Sequence, residues 1–143
     1  MIARLLVLVS AMALVVAVAT IVTALNFTAA SWLPMIAGLA LIGTIYGAIG
    51  ALAGAVLDKL AATYLILFLV MTDLGVVQNP MFHTTPGALA VLLPGYGPSR
   101  LMYEGAFSHS FNAGGELALG LAWLAVLSIG VYLVLRRAVR VSG

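Results

Sequence analysis

From Leu5 to Leu25 the chain carries no charged side chain, and from Pro34 to Leu57 there is again none. Two further runs, Leu60–Val77 and Glu116–Leu135, hold one acid each, Asp73 and Glu116. Each run approaches or exceeds the ~20 residues that a helix needs to cross hydrocarbon. A backbone in lipid finds no water to bond, so these runs must close their hydrogen bonds internally, as helices. The sequence therefore predicts an all-α, polytopic integral membrane protein. Its single transmembrane domain covers residues 1–143, with helices at about 5–25, 34–57, 60–77 and 116–135 and an outer segment over 78–115.

Composition agrees. Charged residues make up 7% of the 143 and hydrophobic ones 64%, whereas a water-facing domain carries roughly 25% charged residues. The first run also has the outline of a signal peptide, with Arg4 before it and Ala17-Val18-Ala19 as a small-residue cleavage site. It continues past Thr20 to a full span, which favours a retained helix. Arginine outnumbers lysine, and Ala, Gly, Leu and Val dominate. That bias suggests GC-rich bacterial coding, and hence a bacterial inner (plasma) membrane.

The few basic residues set the orientation. With Arg4 inside and four crossings, the Asp58-Lys59 turn and the Arg136–Arg140 tail also fall inside. Five of the six basic residues are then cytoplasmic and Arg100 alone is outside, as the positive-inside bias requires. Both termini are expected in the cytoplasm. Trp32 reads as an interface anchor, and Pro34 fits the first turn of the second helix, where a missing N–H costs nothing. Gly114 and Gly115 precede the last helix, and Arg136, Arg137 and Arg140 are expected to stop it.

Several features could carry function. Gly43, Gly47, Gly50 and Gly54 share one face of the second helix, with Asp58 continuing it. Such a face lets helix backbones approach closely, either within the chain or as a subunit interface. Asp73 stands near the outer end of the third helix, as a solvated or paired structural acid or as part of a substrate or proton path. The outer segment is punctuated by Pro80, Pro86, Pro94 and Pro98. The apolar run Pro86–Pro94 is too short to span and reads as an interfacial or re-entrant helix. Pro94-Gly-Tyr96-Gly-Pro98 makes a turn, and a second short helix is expected over Pro98–Phe107. In it Arg100 and Glu104 are four apart and could pair. The bland alternative for this segment is an amphipathic loop on the bilayer surface.

Other chemistry is poorly supplied. Without cysteine there is no disulfide or thiolate site. His83 and His109 lie far apart with no carboxylate at ligand spacing. Ser108 and Ser110 flank His109 outside any strand-turn-helix context. Gly114-Gly115 is not followed by the Lys-Ser or Lys-Thr of a phosphate-binding loop. No basic run interleaved with aromatics suggests nucleic acid. Neither a cofactor nor covalent catalysis is expected.

The order of parts, with Asp73-Leu-Gly-Val-Val-Gln78-Asn79-Pro80 and then Leu93-Pro94-Gly95-Tyr96-Gly97-Pro98, resembles the C-terminal part of ABC-2 type transporter permeases. The resemblance covers roughly Gly43 to Arg140. It implies that the four helices correspond to the family's third to sixth, and that Pro86–Pro94 and Pro98–Phe107 are the pair of short helices dipping into the outer leaflet. It implies a cytoplasmic ATPase subunit as partner, with Asp58-Lys59 as the short inner turn left to touch it. Further membrane helices would come from a second permease chain or a homo-oligomer. The first two helices of the family pattern have no counterpart here. Two other readings remain open: a small accessory or assembly subunit docking through the glycine face, and an ion- or proton-coupled transporter using Asp73.

Overall fold

The computed structural model describes residues 2–82, 87–110 and 112–141. Every regular element among them is helical: α1 (Ile2–Asn26), α2 (Trp32–Val56), α3 (Lys59–Thr72), α4 (Ala88–Val91), α5 (Tyr96–Phe107) and α6 (Gly114–Val141). A π turn, Asp73–Val77, continues α3 without a break.

Polar side chains inside the apolar helices are satisfied locally. The hydroxyls of Thr20, Thr23, Thr44 and Thr63 each donate to the carbonyl one turn earlier, at 2.6–2.8 Å. Asp58 caps α3 by accepting from the amides of Leu60 and Ala61, both at 2.9 Å. That supplies partners for two of the donors a helix start leaves open.

The helices alternate in direction. Leu41 lies beside Gly120 and Leu52 beside Gly130, so α2 and α6 run parallel. Gly50 faces Ile66, so α3 runs against α2. The central contact is between α2, α5 and α6, where Leu41, Leu101 and Ala113 are buried together. Ile45 and Leu101 are almost wholly enclosed. α1 is peripheral, separated from α2 by an apolar cleft of about 670 Å³ between Ala13–Ile21 and Ile36–Thr44.

Much of the apolar surface faces outward. Leu33, Val56 and Phe68 are 82%, 80% and 71% exposed, and such faces need a partner or lipid. Three helical stretches are long and apolar enough to cross a membrane: Trp32–Val56, Lys59–Val77 and Gly114–Val134. The sequence predicts four. The difference is at α1, whose apolar stretch among the described residues, Ala13–Asn26, is shorter than a span needs.

Three boundaries also differ from expectation. The helix expected over Pro86–Pro94 is a single turn, 88–91, followed by tight turns that bond Leu93 N–H to Ala90 O and Tyr96 N–H to Leu93 O. A residue before proline is driven away from helical angles, so Leu93 ends the run before Pro94. α5 starts two residues earlier than expected, with Pro98 in its first turn, where its missing N–H costs nothing. α6 continues through Arg136 and Arg137 to Val141. Charge ends an apolar run, but arginine is a good helix former and does not end a helix.

Candidate functional site

α5 folds back along the first half of α2. At one end the amides of Ala30 and Ser31 donate to the carbonyls of Ala106 and Gly105, at 3.1 and 2.7 Å. At the other end Gly95, just before α5, reaches Tyr46 of α2. Tyr46 lies about 21 Å along the axis from Trp32, at ~1.5 Å per residue. The turn Pro94–Tyr96 is thus held beside the middle of α2, with α5 returning toward the start of α2.

Asp73 holds that turn in place. It is 1% exposed. Its Oδ2 accepts from the Tyr46 hydroxyl and, at 3.0 Å, from the Gly95 amide. Its Oδ1 accepts from Gln78 Nε2 at 3.0 Å, and the same Nε2 donates to Ala90 O at 3.0 Å. Donors from three separate parts of the chain therefore converge on one carboxyl. The π turn makes this possible: Gln78 N–H bonds to Asp73 O at 2.8 Å, five residues back, and so returns the Gln78 side chain to Asp73. Among the described residues no buried side-chain nitrogen or oxygen lacks a partner.

Glycines allow the close approach. A Cβ on Gly95 would lie 2.8 Å from the Tyr46 hydroxyl and 2.9 Å from Asp73 Oδ2. On Gly38 it would meet Met102 N at 2.6 Å. On Gly97 and Gly105 it would run into the backbone of Glu116 and of Met35. At Gly38, Gly97 and Gly105 the contacts are with backbone, so no side chain can move aside, whereas at Gly95 they are with the side chains of the Asp73 cluster.

The opposite face of α5 is polar and aromatic. Tyr96, Arg100, Tyr103, Glu104 and Phe107 share it, and with Glu116 of α6 they line a cavity of about 460 Å³. The Arg100 guanidinium sits 5.8 Å from the centre of the Tyr96 ring, within cation–π range. The expected Arg100–Glu104 pair does not form. Glu104 Oε2 instead accepts from the Asn112 amide at 2.9 Å, closing the loop into α6.

Of the readings open for Asp73, it is a paired acid and not a solvated one: it is buried level with the middle of α2 and bonded to Tyr46, Gln78 and Gly95. On the glycine face Gly43 and Gly50 are half-buried, and Gly47 and Gly54 are exposed. A Cβ on Gly50 would rest in ordinary contact with Ile66, and on Gly54 it would touch nothing. That face borders an open apolar groove of about 520 Å³ with Ile66 and Val70 of α3. Asp58 and Lys59 are exposed at the α2–α3 turn. Pro80 is exposed, and Pro94 and Pro98 are buried. His109 is exposed, whereas His83 and Pro86 lie outside the described residues.

Sequence reasoning overlooked Tyr46, Gln78, Gly95, Gly38 and Gly105 as parts of a site. One signal was present. Gly97, Leu101 and Gly105 repeat every four residues on one face of a short helix, the spacing of a tight helix contact.

No known protein family, curated protein or solved structure matches the chain.

Proposed function

We propose that the chain is a membrane-spanning permease component of an ATP-driven transporter of the ABC-2 type. In this reading α1 is the fourth crossing beside the three apolar stretches of α2, α3 and α6, and both termini are cytoplasmic in a bacterial inner membrane. The single observation that carries the proposal is the helix folded back beside α2 and fastened at mid-height by Asp73. With a hydrocarbon core of ~30 Å, the Asp73 knot then lies near the bilayer centre and α5 occupies the outer leaflet. Non-helical backbone at such depth requires cover by protein or a watery cavity, and here α2, α3 and α6 provide the cover. Ionisable groups at this depth are expensive and commonly functional. The chain supplies part of a substrate path and does no covalent chemistry. The exposed Asp58-Lys59 turn is the contact for a cytoplasmic ATPase subunit, and a second permease chain or copy supplies further helices.

The test is capture of the tagged full chain from its own membranes in mild detergent. ATP hydrolysis is expected to travel with it and to fall when Lys59 is changed to Glu. Recovery of an intact assembly without ATP hydrolysis would refute the proposal.

The exposure of Gly47 and Gly54 favours a second reading, an accessory subunit docking through that face. Changing Gly47 and Gly50 to Leu should then abolish association with other membrane proteins. Unchanged co-purification removes this reading.

A further inference from the structure

The chain has six basic and four acidic side chains. Arg4, Asp58, Lys59, Arg136, Arg137 and Arg140 belong to the end of the bundle where α1 begins, α2 turns into α3 and α6 finishes. Asp73 is consumed in its knot. The remaining three, Arg100, Glu104 and Glu116, all line one cavity between α5 and α6. In so apolar a protein this convergence calls for an explanation. Glu116 in the first turn of α6 favours the helix dipole, and Glu104 closes a loop. Neither role accounts for Arg100, which has two carboxylates around the same cavity and an ion pair with neither.

We propose that this cavity binds the headgroup of a zwitterionic phosphate ester carrying a primary ammonium, with Arg100 on the phosphate and Glu116 on the ammonium. A guanidinium fork suits phosphate oxygens. A carboxylate with no side-chain hydrogen bond of its own suits an N–H donor. Opposite charges that share a cavity without touching leave a gap that a zwitterion bridges. A purely anionic ligand meets two carboxylates, and a purely cationic one meets Arg100. The choice of a primary over a quaternary ammonium follows from Glu116, whose carboxylate accepts N–H hydrogen bonds that a methylated cation cannot donate. Tyr103 and Phe107 form the apolar wall.

The ligand source is a lipid if the chain spans a membrane as proposed above, since the cavity then opens in the outer leaflet. A soluble ester would offer the same chemistry.

The test measures binding to the purified full chain in maltoside micelles. The probes are short-chain phosphatidylethanolamine, phosphatidylcholine, phosphatidylglycerol and soluble glycerophosphoethanolamine. Phosphatidylethanolamine is expected to bind at least about tenfold tighter than the other two lipids. Arg100→Gln should weaken it about tenfold, and Glu116→Gln should erase the preference over phosphatidylcholine. Binding of the soluble ester as tightly as the lipid keeps the site and moves its ligand to water. Equal affinity for all three lipids with no binding of the soluble ester overturns the proposal. So does undiminished binding in both variants with helix content and melting unchanged. If the variants misfold, the ranking on the unaltered chain decides alone. Extraction of the chain from membranes by alkaline carbonate would refute the permease reading separately, and the soluble ester would still test the cavity.

Discussion

At the scale of single residues, Asp73 has the largest consequences. Replacing it with Ala strands the Tyr46 hydroxyl, the Gly95 amide and one N–H of Gln78 Nε2 in a place shielded from water. Each buried group left unpaired costs ~1–3 kcal/mol. Asp73→Ala should therefore destabilise by ~3 kcal/mol or more, read as a fall in melting temperature in detergent. Tyr46→Phe removes one donor and leaves Oδ2 with Gly95, so its cost should be only ~1 kcal/mol. Equal effects of the two would mean that the carboxyl is not the centre of the knot. Asp73→Asn keeps the shape but sets an amide donor against Gln78 or Gly95, and if the acid lies on the transport path it should also abolish activity. Little of this was legible beforehand. The sequence shows an acid in an apolar run and a tyrosine 27 positions earlier, and nothing in either segment reveals that they meet. Distance from a helix end is a poor guide to burial when another part of the chain folds over that end.

At the scale of elements, the apolar runs were legible because length and lack of charge act along a single helix. Details that depend on two helices at once were not legible. Gly43, Gly47, Gly50 and Gly54 have the spacing of a packing motif; of these, Gly50 and Gly54 make no tight backbone contact, whereas Gly38, Gly97 and Gly105 do. The π turn was equally hidden, since it shifts the hydrogen-bond register by one residue and is secured by a bond from Gln78. A pair of substitutions separates these glycines. Gly105→Ala forces α5 off Met35 and should cost ~1–3 kcal/mol. Gly54→Ala meets open space and should leave the isolated chain as stable or up to ~1 kcal/mol more so. Chemical denaturation of both variants measures the contrast. A Gly54→Ala chain that is stable alone but fails to assemble would identify the glycine face as an interface.

At the scale of the whole molecule, the absence of cysteine makes orientation directly testable. Single cysteines at Ser110 and Lys59 provide two reporters at opposite ends of the bundle. In intact cells a membrane-impermeant thiol reagent should label the first, and label the second only after permeabilisation. The reverse pattern would overturn the proposed orientation. The two attachments of α5 differ in kind. One end is tied by a buried carboxyl, and the other by two backbone bonds near the exposed residues Asn26–Thr28. Water can replace the second set at little cost but cannot reach the first. The amides of Ala30 and Ser31 should therefore exchange their hydrogens well before that of Gly95. Loosening should then begin at the Ala30–Ser31 end and pivot about Asp73. In that case α5 would open like a door whose hinge lies deep in the protein and whose free edge faces the surroundings.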